Sequence, residues 1–89
     1  MPYIIKEKRE RFEPAVANLV ALLQEDPENV AGNLNYVITA VLKRLIATNK
    51  RYKTMNDLIG ALECCKLELY RRVVGPYEDT AIERNSDVE

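Results

Sequence analysis

An ammonium group set among apolar neighbours is the feature of this sequence that most calls for chemistry. Met55, Leu58, Ile59, Leu62, Cys65, Leu69, Tyr70 and Val73 recur at the spacing of one helical face. At ~100° per residue that arc is centred between Leu62 and Met55, and Lys66 falls inside it. Such a lysine must snorkel past the rim, pair with a carboxylate such as Glu63 one turn back, or line a wet cavity, because an unpaired buried charge is costly. The first two are the plainer readings. The third would make Lys66 the anchor of an anion site. Tyr70, one turn further on, would stack or hydrogen-bond beside it, and Arg71 and Arg72 would grip oxygen pairs with their planar forks. Asn35 and Tyr36, on the preceding helix, are candidate partners for the same ligand.

A second cationic group gathers Lys43, Arg44, Lys50, Arg51 and Lys53, with Tyr52 among them. Charge runs of this kind are usually solvated faces; the alternative is a phosphate-binding rim with a tyrosine to stack on a base. Strong non-specific nucleic-acid affinity calls for a basic excess or a clear basic face. With 13 basic and 14 acidic residues the totals do not supply the first, and no specific nucleic-acid partner is expected.

Signatures of catalysis are nearly missing. The chain has no histidine to serve as general base or metal ligand and no glycine-rich phosphate loop, its glycines numbering three. Glu78, Asp79 and Glu83 could offer carboxylates to magnesium from one helix. Favourable charge at the positive end of the helix dipole explains them better. Cys64 and Cys65 are adjacent, so in a helix their side chains diverge by ~100° and cannot bond to each other; core filling is their expected role. No catalytic residue, metal or cofactor is expected, and the chain does not read as an enzyme.

The elements that would position these residues are helices. After an extended Pro2-Tyr3-Ile4-Ile5 and a charged stretch from Lys6 to Phe12, a helix is predicted over about 14–25, opened by Pro14 and closed before Asp26-Pro27. A second, over about 33–49, carries Leu34, Val37, Ile38, Val41, Leu42, Leu45 and Ile46 on one face and ends near Asn49, a residue that tolerates left-handed geometry. A third, over about 55–74, starts from a Thr54 cap with Asp57 in a box-like position. Gly75 is read as its stop and Pro76 as the start of a fourth helix, over about 76–85. The expected architecture is all-α, one domain of three or four compactly packed helices.

A chain of 89 residues buries little more than ~60% of the surface its unfolded form exposes. Yet 47% of its residues are hydrophobic, and a partner subunit is the simplest cover for them. The third helix adds a reason: Gly60, Cys64, Leu67 and Val74 form a weaker apolar line on its back, matching contact with another helix. The longest apolar-rich stretch, Leu34 to Ala47, is interrupted by Asn35, Thr39, Lys43 and Arg44 and falls short of the ~20 residues of a membrane span. The opening residues lack the layout of a secretory signal, so a cytoplasmic homo-oligomer without membrane contact is expected.

The segments Met1-Pro2-Tyr3-Ile4, Leu34-Asn35-Tyr36-Val37-Ile38-Thr39, the run from Leu62 to Val74, Pro76-Tyr77-Glu78-Asp79 and the closing Asn85-Ser86-Asp87-Val88 together resemble a family of small uncharacterised helical proteins of bacteria and their phages. Ser86 stands where that pattern would have glycine. The resemblance implies a prokaryotic or viral origin and no particular activity. Two functions therefore stand side by side: a helical oligomer that binds or sequesters an anionic, nucleotide-derived small molecule, or a protein-interaction or structural subunit that presents a helical face and takes no such ligand.

Overall fold

The computed structural model of the protein describes residues 4–88. Every regular element among them is helical: α1 (Lys6–Arg9), α2 (Glu13–Gln24), α3 (Val30–Thr48), α4 (Tyr52–Leu69) and α5 (Gly75–Asn85). Short 3-10 turns cover Glu10–Phe12 and Pro27–Asn29, and a π-helical turn covers Tyr70–Val74. The chain is all-α, as its apolar spacing predicts. Pro2 and Tyr3 of the expected extended opening lie outside the described residues, and Ile5 that follows is extended. The described residues fall into two compact units, 4–54 and 55–88.

In the first unit, α1 runs through the Glu10–Phe12 turn into α2 with helical backbone throughout, and Pro14 occupies the first turn, where no amide partner is lost. Asp26 ends this run. It precedes Pro27 and is pushed out of helical geometry, to φ −129° and ψ 70°. Its carboxylate then accepts hydrogen bonds from the side-chain amides of Asn29 (2.9 Å) and Asn33 (3.0 Å), and its carbonyl from the Asn29 N–H (3.1 Å). These bonds organise the Pro27–Asn29 turn as a helix nucleus, so α3 starts at Val30 rather than near 33 and takes Gly32 and Asn33 into its first turns. At its other end α3 closes before Asn49, as expected, and Asn49 is extended (φ −155°, ψ 85°) rather than in the left-handed geometry it tolerates. The Asn49 N–H donates to the Ile46 carbonyl, and the Thr48 hydroxyl to that of Leu45 (2.8 Å), which serves the freed carbonyls without that geometry.

The second unit departs more from the sequence pattern. α4 starts at Tyr52, so Thr54 lies inside its first turn and is not a cap; no residue of 52–54 breaks a helix, and hydrogen bonding extends to the end of the link. Gly75 is not a stop either. Its backbone is helical (φ −57°, ψ −52°), and its N–H donates to the Tyr70 carbonyl five residues back. Pro76 explains the wide turn: it has no N–H to offer the Arg72 carbonyl four residues earlier, and its ring would collide with that oxygen in a regular α-helix. Inserting a π turn lets α4 continue into α5 past the proline. Glycine suits the close approach there, because a Cβ at Gly75 would lie 3.2 Å from the Tyr70 carbonyl oxygen and crowd it. Beyond α5, Ser86 adopts φ 67° and ψ 151°, a region that glycine alone enters freely.

None of the described residues is buried. On α3, Ala31, Leu34, Ile38, Val41, Leu45 and Thr48 alternate three and four positions apart. On α4, Met55, Leu58, Leu62, Cys65 and Leu69 do the same. A 3.5-residue period of this sort marks helices that pack lengthwise against others. α2 touches α3, and Leu19, Leu23, Val37 and Ile38 are half-buried. The α3 row nevertheless stays open, Val41 being 51% and Leu45 47% exposed. On the back of α4, Leu67 is exposed and Val74 half-buried. Both cysteines are free and exposed, so the expected core filling by Cys64 and Cys65 does not occur within the chain.

Three substitutions read out this backbone. Gly32 has open space around its Cβ position, so Gly32→Ala should raise stability by up to ~1 kcal/mol in thermal melts. Gly75→Ala should give distinctly less or a loss, since its methyl crowds the Tyr70 carbonyl. Ser86→Gly should raise the stability of the α5 C-terminus by about 1 kcal/mol, visible as slower amide exchange over the last turn of α5.

Candidate functional site

The residues the sequence singles out fall in two places. Lys66, Tyr70, Arg71 and Arg72 belong to the second unit, at the junction of α4 with the π turn. Asn35 and Tyr36 belong to the first unit, on α3.

At the junction, each singled-out group has a partner from its own chain. Lys66 stands on the flank of the α4 row, one position beyond Cys65. Its side chain is 70% exposed, with the ammonium 3.1 Å from the Glu63 carboxylate. That is the snorkelling, paired arrangement, one a long cation readily adopts beside an apolar seam. Glu68 organises the two arginines. Arg71 donates from Nη2 to both Glu68 oxygens (2.8 and 3.0 Å), and Arg72 donates from Nε to Oε2 at 2.5 Å. These pairs span three and four residues, the spacing at which helix side chains meet. The hydrogen bonds from Arg71 and Arg72 hold the Glu68 carboxyl below its ordinary range. Across the π turn the Tyr70 hydroxyl donates to Glu78 on α5. This bond, and the negative charge beside it, push the phenol above its ordinary range. The junction is a charge-balanced clasp over the turn that Pro76 imposes. Glu68 and Glu78 are the residues that reading apolar arcs overlooks; the signal for Glu68 was its spacing to two consecutive arginines.

On α3 the arrangement is open. Tyr36, Thr39, Ala40, Lys43, Arg44 and Ala47 line a groove of about 410 Å³ on the face opposite the apolar row. Tyr36 is 70% exposed. Asn35 lies beside the groove, its side-chain oxygen accepting a hydrogen bond from the Thr39 hydroxyl (3.2 Å). The alanines give the groove a low floor, and Lys43 and Arg44 give it positive charge.

Among the described residues no cluster of three or more His, Cys, Asp or Glu side chains could hold a metal ion. No helix formed by them is long and apolar enough to cross a membrane. Residues 1–88 match the model of a protein family described as a domain of unknown function (DUF6899). No curated protein and no solved structure matches the chain.

The clasp has a definite pH signature. A carboxyl depressed in the folded state adds stability that is present above its unfolded pKa and lost as pH falls through the folded one. Glu68 should therefore titrate below the ordinary glutamate value of about 4.3 in carboxyl-carbon NMR, and Arg71→Gln/Arg72→Gln should move its midpoint back up. Tyr70 runs the other way. Its raised pKa adds stability that is complete below the ordinary tyrosine value of about 10 and is lost as pH rises through the folded value. Glu78→Gln should lower the Tyr70 midpoint in an ultraviolet titration.

Proposed function

We propose that this chain, which belongs to the DUF6899 family, is the subunit of a helical assembly in which identical copies cover one another's α3 and α4 seams. The observation that carries this reading is the pairing of two regular apolar rows with the lack of any buried residue among those described. The second unit has fewer than 40 residues and no disulfide among its described residues, and domains of that size usually need a metal, a disulfide or association to be stable.

A second copy suits these seams. The positions beside the α3 row are Asn35, Val37, Leu42 and Arg44, so no line of like charge opposes close approach of two α3 helices. Its apolar face is also wider than a two-stranded seam, which favours a bundle in which α3 meets more than one neighbour. The magnitudes call for both helices. Burying Leu34, Ile38, Val41 and Leu45 gives at most about 6–12 kcal/mol per copy, and distinctly less here because each is already partly covered. Association costs about 4–15 kcal/mol. One seam roughly balances that cost, and the α4 row tips it.

Sequestration of an anionic small molecule, with Lys66, Tyr70, Arg71 and Arg72 as its site, is the reading we place second. Glu63 and Glu68 already pair with the three cations, so an incoming anion would have to displace carboxylates. The assembly is a structural or interaction subunit rather than an enzyme. A cytoplasmic setting and the bacterial or phage origin implied by the resemblance belong to this proposal.

Light scattering coupled to size exclusion should return an integer multiple of 10.2 kDa at about 1–100 µM, the range where a standard-size interface holds. Val41→Glu/Leu45→Glu should bring the mass down to one chain, and Asn56→Glu, away from both rows, should leave it unchanged. A 10.2 kDa species throughout that range for the unaltered chain would defeat the proposal.

A further inference from the structure

We infer that the outer face of α3 and the link after it form a docking surface for single-stranded nucleic acid, held by its phosphates and stacked bases without reading sequence. The first observation is segregation of charge. Between Glu28 and Asp57 the chain has no acidic residue and five basic ones, Lys43, Arg44, Lys50, Arg51 and Lys53. With a net charge of −1 overall, this segment carries +5 and the remainder −6. Totals near zero therefore conceal a basic face. A polyanion would be drawn to this segment and repelled by the rest of the chain.

The second observation is what these cations do in the fold. Lys66, Arg71 and Arg72 are paired with carboxylates of their own helix. Lys43, Arg44, Lys50 and Arg51 have no such partner among the described residues. Lys43 and Arg44 edge the groove, and Lys50 and Arg51 follow directly where α3 gives way to the extended link.

The third observation is aromatic. Tyr36, 70% exposed, opens the groove at one end of this run, and Tyr52, 82% exposed, follows Arg51 at the other. Exposed rings interleaved with unpaired cations are the elements with which proteins hold single strands, since every base has a face to stack. From Tyr36 to Thr48 the helix spans about 18 Å, room for several nucleotides. A small anion would call for an enclosing pocket. An acidic lipid surface would call for large apolar side chains beside the cations. The groove is open, and its remaining lining is Thr39, Ala40 and Ala47. The inference stands apart from assembly, because the face lies opposite the α3 seam and a lone chain presents it equally.

Fluorescence anisotropy of labelled oligo(dT) with the full chain tests the inference. We expect saturable binding whose log–log salt slope is about −2.8, four phosphates at ~0.7 each. Lys43→Gln/Arg44→Gln and Lys50→Gln/Arg51→Gln should each weaken binding at least about tenfold and roughly halve the slope. Tyr36→Ala should weaken it about 5- to 150-fold with the slope kept, and Tyr36→Phe should restore it. Lys6→Gln/Lys8→Gln should change little. The substituted side chains are exposed, so circular dichroism should be unaltered; for a charge pair that loses helicity, the single substitutions Lys43→Gln and Lys50→Gln take its place, each lowering the slope by about 0.7, and Tyr36→Leu takes the place of Tyr36→Ala. No saturable binding at low salt, affinity in both charge variants unchanged from that of the unaltered chain, duplex bound as tightly as single strand with Tyr36→Ala silent, or binding to acidic vesicles alone would each overturn the inference.

Discussion

Apolar side chains on α3 and α4 have to leave water, and a single chain gives them few places to go. Leu34, Val41 and Leu45 on one helix and Met55, Leu62 and Leu69 on the other are all exposed. Each such side chain is worth about 1.5–3 kcal/mol between full exposure and full burial, and about half of that remains to be gained here. A domain is marginally stable, by about 5–15 kcal/mol, so leaving several of them in solvent is an imbalance of the same size as the fold's whole stability. In the proposed assembly, association completes the fold, so that folding and assembly are one equilibrium. The polar faces inherit the rest of the work: the clasp holding α4 to α5, the turn set by Asp26, and the basic groove opposite the α3 seam.

Local chemistry fixes the helices where packing does not. Asp26 binds two asparagine amides and starts α3 early. Pro76 forces a π turn, and Gly75 lets the Tyr70 carbonyl approach. Glu68 and Glu78 then tie Arg71, Arg72 and Tyr70 across the same stretch. This concentration of polar bonds where the backbone is irregular keeps α4 and α5 in continuous helical geometry despite a proline that would otherwise break it.

The helical class and the extents of α2 and α5 were legible in the sequence because periodicity and proline placement are local signals. The junction at Gly75 was misread for a physical reason. Gly-Pro commonly ends one helix and opens another, and the alternative, a wide turn that absorbs the proline, depends on a carbonyl five residues away. The end of α3 at Asn49 was legible, although its geometry was not: a side-chain bond from Thr48 serves a freed carbonyl without left-handed backbone. Lys66 drew attention through its angle on the helix, yet angle alone cannot tell a seam from its flank. The three-and-four spacing of Met55, Leu58, Leu62, Cys65 and Leu69 puts it on the flank, beside Glu63. Tyr36 lies in the groove as a candidate contact, whereas Lys43 and Arg44 entered the sequence reading within a cationic group taken first as a solvated face and only alternatively as a phosphate-binding rim. Ser86 holds backbone geometry suited to the glycine that the resemblance implies there.

The concentration dependence of thermal unfolding tests the central claim most directly. If copies complete one another's fold, mass action raises Tm steadily with protein concentration, and the thiols of Cys64 and Cys65 become less reactive over the same range. A cooperative transition at one fixed Tm across a hundredfold dilution would mean that each chain covers its own seams, and would contradict completion of the fold by association.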